Sequence, residues 1–446
     1  MGILFGTDGI RGVANRELTP ELAFKIARIT AWLLGRNNEN PVFLIGKDTR
    51  LSGSMLESAL TAGITSVGGE VHLLGITSTP SVAFLTRRLS AAAGIVVSAS
   101  HNPIEDNGLK IFDSSGYKLS DDVENEIEEI YYREFDQLSR PEGALVGQAI
   151  NDSDAVQQYL HYLHDLSAPL AGLKVVADCA HGAVCRIAGE LLVKLGAEVV
   201  MLHDSPDGTK INVKCGATDT EDLQKAVAES EAALGLAFDG DADRLIAIDE
   251  KGSIVDGDAV MAICALNMLQ KGTLKNNTLV TTVMSNGGLD ILAEDNQITI
   301  IRTAVGDRYV LEKMLEGGFN LGGEQSGHII FSDHATTGDG LLTAIELLKI
   351  VQEKQRPLSE LASVLERLPQ ILVNQKVGNK EGWSENTRIK EAIRKVEAAL
   401  GRHGRILVRP SGTEPKIRVM IEAPLAQDKL EEYAYSLADV IAREQG

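Results

Sequence analysis

The chain has 446 residues, which is enough for about three domains of ordinary size. Its 44% hydrophobic and 24% charged residues are typical of a soluble globular protein, and its formal net charge of −20 argues against nucleic acid or an anionic membrane surface as a partner. The four cysteines form no CxxC pair, and we find neither a signal peptide nor an apolar run of about 18 residues. We therefore expect a cytoplasmic protein with free thiols.

Three times along the chain, an apolar strand leads through a short polar turn into a helix, and a later strand ends in a polar loop. The predicted opening strands cover residues 42–45, 173–177 and 278–283, and the helices after them cover residues 54–67, 184–195 and 289–294. Alternation of strands and helices predicts sheets rich in parallel strands and covered by helices on both faces. We therefore expect three similar α/β domains.

The C-terminal part of the chain has a different pattern. A strand at 370–377 precedes a helix at 385–400, and strands at 405–408 and 416–422 flank a turn before a closing helix at 427–443. Because these strands neighbour each other across a turn, we expect an α+β domain with an antiparallel sheet. The predicted domains are 1–151, 152–249, 250–368 and 369–446.

The first polar loop follows an apolar run at 95–97 and contains Ser100, His101, Asn102 and Pro103. A hydroxyl just past the carboxyl end of a strand lies where open α/β sheets usually place their chemistry. Serine is a weak nucleophile until a base or a charged group activates it, and His101 and Lys110 are near along the chain. The alternative is a turn serine beside an Asn-Pro cap.

The second loop carries three alternating carboxylates, Asp239, Asp241 and Asp243, followed by Arg244. At this spacing their mutual repulsion requires a cation, and oxygen ligands of this kind suit Mg²⁺. An EF-hand is excluded, because its sixth position would be Arg244 instead of glycine and residues 245–248 are predicted to form a strand. A solvated acidic turn is the alternative.

In the third loop, Glu324, Ser326 and His328 alternate, so an extended backbone would direct all three side chains to one side. A carboxylate, a hydroxyl and an imidazole on one face could line a site for the hydroxyls or the amine of a sugar. They could equally form the polar end of a strand.

The fourth loop places Arg409, Ser411, Thr413 and Arg418 around a turn that contains glycine. A guanidinium group presents a fork of donors that matches phosphate oxygens, and successive turn amides can bind an anion. The sequence therefore predicts a phosphate-binding loop, with a charged hairpin as the alternative.

Together the four loops resemble the α-D-phosphohexomutase family over essentially the whole chain. The motifs are Ser-His-Asn-Pro at 100–103, Asp-Gly-Asp-Ala-Asp-Arg at 239–244, Gly-Glu-Gln-Ser-Gly-His at 323–328 and Arg-Pro-Ser-Gly-Thr-Glu-Pro at 409–415. Within the family, the segments at 4–12 and 303–308 are most similar to the bacterial branch that acts on amino-sugar phosphates. Gly287 departs from this pattern, since a larger apolar residue is expected there.

The resemblance implies four domains around a central cleft, with one loop from each domain and a phosphoryl group on Ser100 in the working enzyme. It implies catalysis by Ser100, His101, Lys110, Arg11 and Arg244, Mg²⁺ binding by Ser100, Asp239, Asp241 and Asp243, and substrate binding by Glu324, Ser326, His328, Arg409, Ser411, Thr413 and Arg418. For Lys110 to accept a proton, its pKa would have to be lowered by burial or by a nearby cation.

The implied reaction moves phosphate between O6 and O1 of glucosamine through a 1,6-bisphosphate, which also serves as activator, and supplies amino-sugar and cell-wall precursors. Three alternatives stay open: a Mg²⁺-dependent phosphatase, a non-catalytic sugar-phosphate sensor, and a mutase for mannose or glucose phosphates. The separate phosphate loop argues against the phosphatase, and the intact Ser100 and Lys110 argue against the sensor. The oligomeric state is open, with a homodimer as one option.

Overall fold

The structure is a computed structural model that describes residues 4–6, 8–133, 135–138, 140–411 and 415–446. These residues form three consecutive α/β units and a C-terminal unit, each with its own sheet. Among them no helix is both long enough and apolar enough to cross a membrane. Thr413, which the sequence predicts to bind phosphate, lies outside the described residues.

The first unit is a mixed sheet packed between helices. Its strands are β1 (Ile10–Val13), β2 (Val42–Lys47), β3 (Glu70–Ile76), β4 (Ala93–Val97), β5 (Asp106–Asp113) and β6 (Ala149–Asn151), in the order β1-β5-β4-β2-β3-β6. Its helices are α1 (Pro20–Gly35), α2 (Gly53–Thr65), α3 (Thr79–Arg88) and α4 (Asp121–Arg133). Strands β4, β2, β3 and β6 are parallel, and β5 is antiparallel to β4 and β1. Every residue of β4 is buried, which explains its apolar sequence.

The second unit repeats this arrangement. Its strands are β7 (Lys174–Asp178), β8 (Glu198–Leu202), β9 (Leu234–Phe238), β10 (Leu245–Asp249) and β11 (Ile254–Val255), in the order β11-β10-β9-β7-β8, and its helices are α5 (Val156–Leu166), α6 (Ile187–Lys194) and α7 (Glu221–Ser230). Strands β9, β7 and β8 are parallel, and β10 turns back antiparallel to β9. Because β11 pairs with β10, this sheet extends beyond residue 249, where the sequence predicts the domain to end.

The third unit has a shorter sheet and more helix. Its strands are β12 (Thr278–Thr282), β13 (Thr299–Thr303), β14 (Leu321–Gly323) and β15 (Ile329–Phe331), in the order β13-β12-β14-β15. Its helices are α8 (Gly257–Gln270), α9 (Gly288–Asn296), α10 (Asp307–Gly317), α11 (Gly340–Lys354) and α12 (Leu358–Ala362). Strands β13, β12 and β14 are parallel, and β15 is antiparallel to β14.

The C-terminal unit is an antiparallel sheet with two helices. Strands β16 (Gln370–Lys376), β17 (Arg405–Pro410) and β18 (Lys416–Glu422) have the order β16-β18-β17, and the helices are α13 (Thr387–Leu400) and α14 (Gln427–Gln445). Helix α13 begins later than predicted because the Asn386 side chain accepts from the Arg388 and Ile389 N–H groups and so caps it. The fold class predicted from the sequence is confirmed.

Two features of the packing determine how the units are joined. One buried apolar cluster extends from Leu44 to Leu365 through the first three units, whereas the C-terminal unit has a core of its own. The C-terminal unit is attached to the third unit through polar contacts: Arg405 donates to the Val283 carbonyl at 2.9 Å, and Gly287 N–H donates to Glu422 at 2.6 Å. A Cβ on Gly287 would lie 2.5 Å from the Glu422 carboxylate, which accounts for the glycine at this position.

The same local topology places the first three polar loops. In each α/β unit a strand of the parallel part of the sheet turns back into an antiparallel partner, and the loop lies at this turn, between β4 and β5, β9 and β10, or β14 and β15. The fourth loop joins the antiparallel strands β17 and β18. The predicted domain boundaries themselves stay a prediction.

Candidate functional site

The serine loop has a constrained backbone. Ser100 is almost completely buried and has a φ of +52°, a left-handed conformation that few non-glycine residues adopt. Its N–H donates to Ser98 Oγ at 2.9 Å, and Ser98 Oγ in turn donates to Asp48 at 2.6 Å. The surrounding contacts therefore hold Ser100 in a conformation that it would not favour alone.

Two residues that sequence reasoning missed also hold this loop. Arg50, buried and paired with Asp48, donates to the carbonyl groups of Ser100 at 2.9 Å and Asn102 at 2.8 Å. Asn212 of the second unit donates to the Ser100 carbonyl at 2.9 Å. Arg50 lies in the polar turn that follows β2. Because its partners are about 50 positions away, the sequence alone gives no sign of these contacts.

The structure brings Ser100 against the aspartate loop of the second unit. Ser100 Oγ donates to Asp239 at 2.5 Å and lies 3.2 Å from His101 Nδ1. Carboxylate oxygens of Asp239, Asp241 and Asp243 all lie within 4.8 Å of one another. Burial and the two neighbouring carboxylates raise the pKa of Asp239 to about 8, because three buried negative charges at this distance repel one another.

The aspartate cluster fits a divalent cation. The three side chains are buried, and the Asp241 and Asp243 Oδ1 atoms have no hydrogen-bond partner among the described residues. Unpaired buried carboxylate oxygens are costly unless a positive charge or a donor satisfies them, and hard oxygen ligands are those that Mg²⁺ prefers. The geometry therefore supports the predicted Mg²⁺ site.

Lys110 is fully buried and surrounded by carboxylates. Its Nζ lies 2.8 Å from Asp241, 2.9 Å from Asp243 and 3.2 Å from Asp8. Burial disfavours the charged amine, but these carboxylates outweigh it and hold the pKa of Lys110 well above its usual value. Proton acceptance would require a lowered pKa, and the pKa of Lys110 is raised in this structure. Lys110 therefore serves first to neutralise the carboxylates of the aspartate loop.

His101 has the opposite character. Burial, together with the positive charges of Arg244 and Arg11, lowers its pKa to about 4, so the imidazole is neutral at neutral pH. Its Nδ1 is near Ser100 Oγ, within reach for proton exchange. The structure thus brings His101, a predicted candidate for proton transfer, within hydrogen-bond distance of Ser100.

A ring of alternating charges joins the three α/β units around this site. Its members, in order, are Lys110, Asp8, Lys118, Asp307, His328 and Asp243, which returns to Lys110. Lys118 donates to Asp8 and, at 2.5 Å, to Asp307, whereas the two contacts of His328 are longer, at 3.6 and 3.7 Å. Sequence reasoning assigned no function to Asp8, Lys118 or Asp307, although Asp8 and Asp307 lie in motifs that carry the family resemblance.

The ring borders an open cleft of about 620 Å³. Its lining includes Arg11, His101, Arg244, Glu324 and His328. Arg11 pairs with Asp8 and donates to the Asn102 side chain at 3.3 Å, while Arg244 Nε lies 3.7 Å from Asp243. These arginines bring two positive charges to the cleft, whose lining also contains the carboxylates of Asp8, Asp243, Asp307 and Glu324.

The third loop has a different conformation from the predicted one. Instead of an extended segment it forms a turn, in which Gly327 has a φ of +91° and donates its N–H to the Glu324 carbonyl at 3.0 Å. The prediction that three side chains share one side is therefore wrong. Glu324 and His328 line the cleft, whereas Ser326 does not, and its buried Oγ has no partner among the described residues.

His328 lies between Asp243 of the aspartate loop and Asp307. The Gly338 N–H donates to His328 Nε2 at 3.1 Å, so in the neutral ring the proton lies on Nδ1, which faces Asp243 at 3.7 Å. Burial acts against protonation, but Asp243 and Asp307 outweigh it and raise the pKa of His328.

Two arginines lie side by side on the strands that flank the fourth loop. Arg409 and Arg418 face each other across β17 and β18, and Arg418 Nε is buried without a partner among the described residues. Burial and the charge of Arg418 lower the pKa of Arg409, and neither arginine forms an ion pair with a carboxylate among the described residues. Ser411 is buried beside them, and its carbonyl accepts from Lys380 at 2.8 Å. None of the described residues of this loop lines the cleft.

Comparison with known proteins matches every unit to one family. The four stretches correspond to the phosphoglucomutase/phosphomannomutase alpha/beta/alpha domains I (residues 2–137), II (156–252) and III (256–368) and to its C-terminal domain (372–440). The chain is 52% identical, over the full length of both proteins, to the phosphoglucosamine mutases of Bacillus cytotoxicus and Geobacillus thermodenitrificans.

Solved structures show the same architecture. A phosphoglucomutase/phosphomannomutase family protein from Burkholderia thailandensis is similar with a TM-score of 0.80 at 25% identity, covering 99% of this chain and 97% of that one. An N-acetylphosphoglucosamine mutase from Aspergillus fumigatus, solved with GlcNAc-6P and magnesium, has a TM-score of 0.68 at 17% identity, covering 100% and 96%. The second likeness concerns the fold alone.

Proposed function

The chain belongs to the phosphoglucomutase/phosphomannomutase family, and we propose that it is a phosphoglucosamine mutase, an isomerase that interconverts glucosamine 6-phosphate and glucosamine 1-phosphate. The contact of Ser100 Oγ with the aspartate loop at 2.5 Å carries this proposal on the structural side. A hydroxyl held between a neutral imidazole and a cluster of metal-type ligands is suited to carrying a phosphoryl group. The full-length identity to phosphoglucosamine mutases specifies the sugar.

In the proposed reaction, Ser100 begins as a phosphoserine. The free hydroxyl of the sugar phosphate forms a bond to phosphorus while the bond between phosphorus and Ser100 Oγ breaks, which gives the 1,6-bisphosphate. The hydroxyl loses its proton and Ser100 Oγ gains one, and His101, whose Nδ1 lies 3.2 Å from that oxygen, is the group placed to exchange it. Lys110 stays protonated and neutralises the aspartate loop. After the bisphosphate reorients, Ser100 takes the other phosphoryl group by the reverse steps.

Asp239, Asp241 and Asp243, with the phosphate of Ser100, would hold Mg²⁺. When bound, the ion supplies positive charge that stabilises the oxygens of the phosphoryl group in transfer. The residues of this chain do the remaining work: Arg11 and Arg244 attract the phosphorylated sugar to the cleft, and Glu324 faces it from the third unit.

The phosphate that does not react requires a second site. We assign it to Arg409, Ser411 and Arg418, because two guanidinium groups lie side by side and form no ion pair with any described carboxylate, and such a pair matches phosphate oxygens. Since this loop does not line the cleft in the structure, the C-terminal unit would move toward the cleft when substrate binds. A phosphatase would not need this second site. A cytoplasmic location and a homodimer stay predictions.

Turnover on three substrates tests the choice of sugar. We expect kcat/KM to be highest for glucosamine 6-phosphate and lower for glucose 6-phosphate and mannose 6-phosphate, by about 10-fold or more, since a lost polar contact costs about 1–3 kcal/mol. Release of free phosphate should be negligible beside isomerisation. A preference for mannose 6-phosphate would support a phosphomannomutase, and stoichiometric phosphate release would support the phosphatase.

A further inference from the structure

A second cluster of metal-type ligands lies in the α/β unit that carries the aspartate loop, at residues the mutase reaction does not use. Asp178 is the last residue of β7, and His203 directly follows β8, the parallel neighbour of β7. Cys215 enters the cluster from the loop before α7. One ligand atom from each residue lies within 4.8 Å of the other two.

The cluster combines a carboxylate, an imidazole and a thiol. We propose that Asp178, His203 and Cys215 bind a zinc ion. Oxygen, nitrogen and sulfur ligands together are the set that Zn²⁺ accepts, whereas Mg²⁺ and Ca²⁺ require oxygen ligands. Asp178 Oδ2 and His203 Nδ1 are 3.1 Å apart, close to the separation of about 3.4 Å between two ligands in a tetrahedron with bonds of about 2.1 Å.

The state of His203 supports this arrangement. Its buried Nδ1 makes no hydrogen bond with any described residue, because its contact with Asp178 is not aligned for one. Its Nε2 lies 3.7 Å from Asp222. This distance is too long for a hydrogen bond, but the negative charge of Asp222 favours the proton on Nε2, which leaves the other nitrogen free for the metal.

The other two ligands are oriented as well. Asp178 is fully buried and accepts one backbone N–H on each oxygen, from Ala180 and Gly216, both at 2.9 Å. Hydrogen bonds of this kind orient a metal-ligating carboxylate and leave a lone pair on each oxygen. Cys215 is fully buried, and its thiol donates a weak hydrogen bond to the Lys210 carbonyl at 3.8 Å.

The local charge favours a cation, because the carboxylate of Asp178 belongs to the cluster and that of Asp222 lies beside it. Zinc binding would displace the proton of the Cys215 thiol to solvent, and the thiolate would bind the metal.

The ion would connect the zinc cluster to the serine loop. The segment between His203 and Cys215 contains Asn212, which donates to the Ser100 carbonyl. Both ends of this segment would be fixed by the metal. Zinc would therefore stabilise the contact that the second unit makes with the phosphoserine loop, without taking part in phosphoryl transfer.

Cobalt(II) is the direct probe, because a thiolate ligand gives Co²⁺ a charge-transfer absorption that an all-oxygen site cannot give. We expect metal-free full-length protein to develop this band at one equivalent of Co²⁺ and to lose it when Zn²⁺ is added. Asp241→Asn should keep the band, because that residue belongs to the other cluster. Cys264→Ser, a matched change at a buried thiol in α8, should also keep it.

Cys215→Ser and His203→Asn should abolish the band, and Asp222→Asn should weaken Co²⁺ binding by about 10- to 100-fold. The fold of each variant is first compared with that of wild type by circular dichroism. If Cys215→Ser does not fold, the Co²⁺ band of His203→Asn and Asp222→Asn tests the proposal instead. Absence of the band in wild type would overturn the proposal. Its persistence in Cys215→Ser, or its loss in Cys185→Ser with Cys215 intact, would overturn it too. None of these outcomes depends on mutase activity.

Discussion

At the scale of single residues, the aspartate loop is the clearest case of charge that requires a partner. Asp241 accepts from Thr79 at 2.5 Å and from Lys110 at 2.8 Å through one oxygen, while its other oxygen is buried and unpaired among the described residues. Lysine alone therefore does not satisfy the loop. The remaining oxygen is the position that a cation would take.

Asp241→Asn should lower both Mg²⁺ affinity and turnover, since it keeps the volume but removes one of the ligand charges. We expect kcat/KM to fall by at least about 100-fold, the size of a lost charge interaction of about 3 kcal/mol. Initial rates measured over a range of Mg²⁺ concentrations check this. Asp249→Asn, a buried aspartate that caps a turn with Lys251 and Ser253, is the matched control and should change little. Unchanged turnover of wild type in a chelator would remove the metal from the mechanism.

The residues to which we assign the chemistry can be found in the sequence, but the residues that position them cannot. Ser100 and the three aspartates lie in short motifs whose composition implies their function. Lys118 lies in no such motif, and its partner Asp307 is 189 positions away. The raised pKa of Lys110 likewise depends on carboxylates from another unit, so the sequence alone gives no sign of it.

At the scale of elements, loops at strand turns were predictable and their internal geometry was not. The turn at Glu324 illustrates this: the alternating residues suggest an extended strand, but Gly327 closes a turn and removes Ser326 from the cleft. An isolated glycine in a strand-like pattern is compatible with either outcome, and tertiary packing decides between them.

The third and fourth loops should have separable functions. Glu324→Gln should change the ratio of kcat/KM between glucosamine 6-phosphate and glucose 6-phosphate, because a carboxylate can pair with the amine of the sugar. Arg418→Ala should weaken both substrates equally, by about 10- to 100-fold for a charge-assisted hydrogen bond of about 1.5–3 kcal/mol. Steady-state kinetics on both sugars measure this. The two assignments would be reversed if Glu324→Gln lowered kcat/KM equally for both sugars while Arg418→Ala lowered it for one sugar more than for the other.

At the scale of the whole molecule, the ring of alternating charges connects the units that must act together. Lys118 of the first unit bridges to Asp307 of the third, while Lys110 reaches the aspartates of the second. The C-terminal unit, with its separate core and polar attachment, is the part best able to move as a body.

Lys118→Met removes the bridge while keeping most of the side-chain volume, and it leaves Asp8 and Asp307 without their shared cation. We expect kcat/KM to fall by about 10- to 100-fold, since a broken partly buried pair costs about 2–3 kcal/mol. Because the walls of the cleft would be less well fixed, added 1,6-bisphosphate should restore part of the rate. Lys271→Met, at a surface pair with Glu353, should change neither quantity. An equal loss of kcat/KM in both variants would show that the ring has no specific function.

The fate of the phosphoryl group tests the central claim most directly. Wild type is incubated with glucosamine 1,6-bisphosphate labelled in its phosphates, the labelled peptide is mapped, and the label is chased with glucosamine 6-phosphate. We predict label on Ser100 alone, because the Ser98 hydroxyl is already engaged by Asp48 and by the Ser100 N–H. The label should move to sugar phosphate as fast as the enzyme turns over, and Ser100→Ala should take up none and lose activity by several orders of magnitude. Label on Ser98, or a phosphoserine that the substrate does not discharge, would contradict the account.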